Sequence, residues 1–266
     1  MGDTRDRTIR QAVGGGRFCA VMLDDGRVGV ANLCPDVCGK PSRHVLDLLP
    51  RSGTSAADAL ATLSSPERSA IGLATANALA NRLTGEADES YGSALWHSSG
   101  RWRQVSIGSD LLDVLELRPD DHVGMVGCFS PMVDRIRQRV RLLSIFERGQ
   151  RLTPDLLPED RAAELLPQCS VALITATTLI NGTIDELLAA ARDCREVVLL
   201  GPSTPLVPEV FDTSSGRVTL LAGVVVTNAE VLLHTVAQGG GTRDFKTSVA
   251  KVNVRVSVGG EDPSSV

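Results

Sequence analysis

A carboxylate at the end of one strand, twenty positions beyond a glycine at the end of the strand before it, is the spacing with which α/β proteins hold a ribose. Gly127 and Glu147 have that spacing here. One carboxylate can accept hydrogen bonds from both ribose hydroxyls, which is the chemistry Glu147 would supply. The competing reading is a surface glutamate paired with Arg148 or Arg151. The turn before it reads Gly127-Cys128-Phe129-Ser130-Pro131, a strand running into a helix start, with Ser130 placed to cap and Pro131 at the first helical position. A ligand would meet the helix N-terminus there. Gly124 and Gly127 do not complete the G-x-G-x-x-G pattern. Phe129 is bulky where a pyrophosphate needs close backbone approach, and Pro131 removes an N–H donor. NAD and FAD are therefore not expected, and an adenosine-type ligand without a pyrophosphate, such as S-adenosylmethionine, satisfies both observations.

Two further strand ends carry polar side chains. Thr175, Thr177, Thr178 and Asn181 follow one apolar run, and Ser203 and Thr204 sit between Pro202 and Pro205 after another. Capping explains Thr183 without needing the other hydroxyls, so these residues are candidates for holding a polar ligand at a topological switch point. A rigid loop is the alternative for Ser203 and Thr204. Gly239-Gly240-Gly241 is a turn that either closes over this rim or simply connects.

Other chemistries find less support. Cys34 and Cys38 are the only close cysteine pair, with a gap wider than C-x-x-C and no further Cys or His at zinc-site spacing, so no metal is expected there. His44, His97, His122 and His234 are isolated, and Cys19, Cys128, Cys169 and Cys194 lie in or beside apolar runs. Neither G-x-S-x-G nor G-x-x-x-x-G-K-[ST] occurs. A net charge of −5 and 3% aromatic residues argue against nucleic acid, and the arginines at 135, 137, 139 and 141 read as a solvated helix face. No apolar run approaches a membrane span, and the first residues lack a secretory apolar core. A cytoplasmic protein with reduced cysteines is expected, its partner a small molecule, with a homo-oligomer left open.

The elements that must position these groups come in two halves. Residues 17–23 and 27–33 are strand-like around Asp24-Asp25-Gly26, a hairpin signal. Helices are expected over 55–63 and 66–83, the second capped by Ser65 with Pro66 at its first position. This is an α+β unit, ending in a polar stretch between 85 and 103. From Asp121 onward, apolar runs without alternation recur between helical segments, the signature of parallel strands covered on both faces. Segments 123–129, 142–146, 171–175, 197–200 and 218–221 are expected to be parallel neighbours in one doubly wound, Rossmann-like sheet. The domains are placed at 1–110 and 111–258, with a disordered tail over 259–266.

The motifs VGMVGCFSP, ITATTLINGTIDELL, LLGPSTPLVPEVF and LLAGVVVTN resemble a bacterial and archaeal family described as "putative heavy-metal chelation" proteins. The resemblance covers most of the chain and is strongest over 123–228. It implies an enolase-N-terminal-like domain followed by a Rossmann-like domain. It also likens IGLATANALANRL, residues 71–83, to the family's N-terminal helix, with Asn77 and Asn81 facing the cleft between the domains as substrate-binding candidates. Two functions follow from different classes. One is an enzyme using S-adenosylmethionine on a small amino-acid-like substrate; the other is a non-catalytic metal-binding protein.

Overall fold

The computed structural model describes residues 6–33, 46–81, 94–98, 101–148, 155–213 and 216–256. The expectations for Cys34, Cys38, His44, Arg151 and the tail after Gly259 lie outside the described residues. Strands β1 (Ile9–Gly15), β2 (Phe18–Leu23) and β3 (Val28–Asn32) form an antiparallel sheet in that order. The Asp-Gly signal is the β2–β3 turn, where Gly26 takes φ 86° and donates to the Leu23 carbonyl at 3.1 Å. All six residues of β2 are buried because both faces are covered. Cys19, Val21 and Leu23 belong to one apolar cluster, and Phe18, Ala20 and Met22 to another.

The first of those clusters contains two helices. In α1 (Ala56–Ala61), the Ser55 side chain accepts the Ala57 N–H at 3.2 Å and so caps the helix. Helix α2 (Ser69–Ala80) starts later than the Ser65-Pro66 signal predicts. The Ser65 carbonyl accepts the Arg68 N–H, closing a separate turn before the helix begins. Its small residues allow a close approach: a Cβ on Gly29 of β3 would stand 2.2 Å from both the Ala74 carbonyl oxygen and the Ala78 nitrogen.

The larger sheet takes in β4 (Ala94–Ser98) and β5 (Arg101–Ile107). After α3 (Leu111–Val114) come β6 (His122–Val126), α4 (Ser130–Arg137), β7 (Leu142–Glu147), β8 (Leu156–Pro158) and α5 (Ala162–Leu165). Then follow β9 (Val171–Thr175), α6 (Thr178–Asn181), α7 (Ile184–Ala190) and β10 (Glu196–Leu200). A short hairpin, β11 (Asp212–Thr213) and β12 (Gly216–Arg217), precedes β13 (Leu220–Val226), α8 (Ala229–Ala237) and β14 (Val249–Val256). The strand order is β4-β5-β14-β13-β10-β9-β6-β7-β8. From β13 to β8 all neighbours are parallel; β14, β5 and β4 continue antiparallel.

The five runs expected to be parallel neighbours are so, as β6, β7, β9, β10 and β13. Counted along the chain, the parallel strands run 3-2-1-4-5-6, with the order reversing between β6 and β9. Alternate residues on each strand enter opposite clusters. Val123, Met125 and Leu173 pack with Leu112 and Ile136, while Val126, Ala172 and Ile174 pack with Leu187 and Leu188. Burial on both faces is why these strands show no alternation.

Strands β4 and β5 precede residue 110 yet pair into the large sheet, so sheet membership crosses that sequence position. The second cluster against the three-stranded sheet is also shared. Leu232, Leu233 and Val236 of α8 pack on Phe18, Ala20, Met22 and Val30. The small sheet is thus held between α2 and a helix from the far end of the chain. Among the described residues no helix is long and apolar enough to cross a membrane.

Candidate functional site

Strand β6 ends where Gly127 takes φ 86° and donates its N–H to the Phe146 carbonyl at 2.7 Å. A Cβ there would stand 3.1 Å from the Thr175 side chain, so glycine lets the turn lie against the end of β9. The next amide, Cys128, donates to Glu147 Oε2 at 2.6 Å, and the Arg148 amide donates to Glu147 Oε1 at 3.0 Å. Glu147 therefore braces the turn from the end of β7. Arg148 pairs through its side chain with Glu159, not with Glu147. Ser130 does not cap. Phe129 occupies the cap position of α4 with no side-chain bond, Pro131 lies in the first turn, and Ser130 is the first helical residue, its Oγ 3.7 Å from Cys128 Sγ. The chain turns one residue earlier than the Ser-Pro pattern indicated because Gly127 already provides the left-handed bend.

At the end of β9, Thr175 and Thr177 share a hydroxyl hydrogen bond of 3.0 Å. Thr178 is buried and donates to the Thr175 carbonyl at 2.7 Å; Asn181 Oδ1 accepts the Thr183 hydroxyl at 2.8 Å. These last two side chains close local turns. At the end of β10, Gly201 bends at φ 115° and the Ser203 hydroxyl accepts the Asn32 N–H of β3 at 2.9 Å. Asn77 Nδ2 donates to Val30 O at 2.9 Å and Ser203 O at 3.1 Å, joining β3 to this loop. Asn81 Nδ2 donates to Val28 O at 3.2 Å. The Oδ1 atoms of both asparagines and Thr204 Oγ1 are buried without a hydrogen-bond partner among the described residues.

These turns enclose a cavity of about 360 Å³ at the reversal in strand order. The large sheet contributes Cys128 and Phe129, then Thr175, Ala176 and Thr177, then Leu200 to Ser203. Arg17, Phe18 and Asn32 from the small sheet form the facing wall, with Gly241 and Thr242 beside them. Of the sequence candidates, Phe129, Thr175, Thr177 and Ser203 line this space. Gly127, Ser130 and Glu147 build the turn behind it, and Thr178, Asn181, Thr204, Asn77 and Asn81 do not line it.

Sequence reasoning missed Arg17, Asn32, Cys128 and Thr242. Arg17 and Thr242 each follow a glycine triplet, 14–16 and 239–241, but nothing in the sequence alone pairs the two. Gly239 (φ 82°) ends α8: its N–H bonds to Val236 O and that of Gly240 to Thr235 O, the Schellman pattern. The β1–β2 turn packs on that helix end. A Cβ on Gly15 would be 2.4 Å from Val236 O, and one on Gly16 2.5 Å from Gly239 O. Backbone meets backbone, and Arg17 and Thr242 end on one wall.

Among the described residues, Arg17 is the one charged residue lining the cavity. Among the described residues no group of three or more His, Cys, Asp or Glu is arranged to hold a metal ion. The Cys169 and Cys194 thiols are pushed up by burial, to about 11 and about 12. Both therefore stay protonated at neutral pH, while Cys128 is half-buried at the cavity. Peptide-resolved alkylation with iodoacetamide should label Cys128 in the native protein and reach Cys169 and Cys194 only after unfolding. Native labelling of those two at the rate of Cys128 would contradict the burial.

Fold and cavity together define a mixed α/β protein, mostly parallel in its large sheet, with a small-molecule-sized cavity at its strand ends. The chain belongs to the DUF364 family, described as "Putative heavy-metal chelation", whose model matches residues 110–255; a second model with the same description, DUF4213, matches residues 1–80. An uncharacterized protein of Methanocaldococcus jannaschii is 30% identical over 107 residues, which is 39% of this chain and 41% of that protein. The chain thus matches less than half the length of that relative. A crystal structure of a DUF364 protein of unknown function from Pyrococcus horikoshii is similar with a TM-score of 0.75 at 20% identity, covering 96% of this chain and 95% of the other. A DUF364 protein of unknown function from Desulfitobacterium hafniense gives 0.72 at 21% identity, covering 96% and 93%. At these identities the two structures speak for the fold.

Proposed function

We propose that the protein is a small-molecule-binding enzyme of Rossmann-like architecture with an enolase-N-terminal-like first domain. It uses an adenosine-type cofactor, S-adenosylmethionine, on a small amino-acid-like substrate. The observation that carries the reading is the cavity at the strand-order reversal, walled by both sheets. Glu147 stands at the end of the strand next to it. Each of its carboxylate oxygens accepts one backbone N–H and keeps a second lone pair for a ribose hydroxyl. A dinucleotide suits the site less. The Phe129 ring comes within 3.7 Å of where a Gly127 Cβ would be and 4.0 Å of where a Gly201 Cβ would be, so it covers the crevice a pyrophosphate would enter.

Calorimetry with S-adenosylmethionine and S-adenosylhomocysteine tests this directly. Both should bind, and Glu147→Gln should weaken binding by about 1–3 kcal/mol, because a charged acceptor becomes a neutral amide. Equal affinity in the variant would remove Glu147 from the site, and no binding of either compound would remove the adenosine reading.

Metal chelation is the second reading, favoured by the family description and by the Cys128 thiol in the cavity. Protein purified without added metal is expected to carry no stoichiometric zinc or iron. About one metal per chain, lost in Cys34→Ser/Cys38→Ser or in Cys128→Ser, would favour chelation instead.

A further inference from the structure

We propose that Arg17 is the anion-recognition residue of the strand-end cavity, so that its ligand presents a carboxylate or phosphoryl group to the small sheet and an apolar part to Phe129. The inference rests on the cavity being a ligand site and is independent of whether that ligand contains adenosine. Charge is the first ground. Among the described residues the lining contains one cation and no acid, and Arg17 forms no ion pair and no side-chain hydrogen bond with any of them. A cationic group presented to this wall would be repelled, and a neutral one would leave the guanidinium without a counter-charge wherever water is displaced. Carboxylate and phosphoryl groups both match the planar fork of arginine.

Placement is the second ground. Arg17 follows a turn whose two glycines press on the end of α8, and its own carbonyl accepts the Leu33 N–H at 2.7 Å. The backbone that carries it is therefore fixed at the cavity wall. The third ground is the set of hydroxyl donors between the walls. The Thr175, Thr177 and Thr242 side chains line the space between and can donate to further oxygens.

Cys128 in the same cavity makes a reporter. Iodoacetate carries a carboxylate and iodoacetamide does not; in each case the Cys128 thiolate attacks the methylene carbon, an S–C bond forms and iodide leaves. In the wild-type protein the ratio of the iodoacetate rate to the iodoacetamide rate at Cys128, read by peptide mass, should exceed that of Arg17→Gln by roughly fivefold. Arg17→Lys should fall between. Inorganic phosphate and acetate, each against chloride at equal ionic strength, should slow the iodoacetate reaction in wild type and leave it unchanged in Arg17→Gln. Which of the two protects more strongly tells a phosphoryl from a carboxylate ligand.

Arg17 is exposed, so the variants should fold, which circular dichroism checks. The same rate ratio in wild type and Arg17→Gln would overturn the proposal. If Cys128 resists both reagents, modification of Arg17 by phenylglyoxal takes its place: protection by phosphate or acetate supports the proposal, and no protection by either overturns it. Failure of the adenosyl compounds to bind alongside an Arg17-dependent ratio would discard the cofactor and keep the anion site.

Discussion

Gly29→Ala is expected to destabilise the protein by about 3 kcal/mol, the upper end of the range for overpacked cores. The added methyl would stand 2.2 Å from two backbone atoms of α2, the Ala74 oxygen and the Ala78 nitrogen, and no flexible side chain is there to give way. The helix as a whole must move off β3. Asn77 lies between those two positions and joins the Val30 and Ser203 carbonyls, so the shift would also loosen the loop that closes the cavity. Gly26→Ala is the control. No atom of the described residues stands within 4 Å of its Cβ position, which leaves the cost of a left-handed φ, about 1–2 kcal/mol. Urea unfolding midpoints separate the two; a Gly29→Ala midpoint equal to wild type would show that β3 and α2 are not packed this closely.

The parts of the fold that were legible are those whose apolar runs are covered on both faces. β6, β9 and β10 are almost wholly buried, β13 mostly so, and β7 sends Ile145 and Phe146 into opposite clusters, so their apolar runs can be read without reference to neighbours. β1, IRQAVGG, has only its two end residues buried, and exposed Arg10 and Gln11 followed by a glycine pair hid it. β14, VAKVNVRV, alternates as an antiparallel strand does, but its partners β13 and β5 lie on opposite sides of it and far apart in sequence.

The site divides in the same way. Phe129, Thr175, Thr177 and Ser203 follow from the rule that ligands meet strand ends. That rule does not tell a polar side chain facing the rim from one that closes its own turn, and the Thr178 hydroxyl and Asn181 amide are of the second kind. Arg17 and Asn32 could not be reached by local reading. They join the cavity through contacts such as the Asn32 amide on Ser203 Oγ, 171 positions apart, and through a glycine seam that has no side chain to advertise it.

Asp121→Asn should cost about 3 kcal/mol, the lower end for breaking a buried ion pair, since the Arg195 side chain it pairs with is 27% exposed while Asp121 is 4% exposed. Burial alone would raise the pKa of this carboxyl. The Ser170 hydroxyl at 2.7 Å, the Arg118 amide at 2.7 Å and the Arg195 guanidinium at 2.8 Å outweigh it and hold the group below its ordinary 3.8. The sign follows from the folded state having the lower pKa. The carboxylate's contribution is complete above 3.8, declines as pH falls through the lowered folded value, and is gone below both. Unfolding free energies measured from neutral pH downward should therefore show the wild-type advantage over Asp121→Asn shrinking only below the ordinary carboxylate range. A constant difference across that range would mean that charge is not what Asp121 contributes. Asp121 and Ser170 stand at the entry to β6 and β9, and the cavity lies at the exit of the same strands. The variant should thus leave the Arg17-dependent iodoacetate preference at Cys128 unchanged wherever it is still folded, while Gly29→Ala, whose damage reaches Ser203, should reduce it.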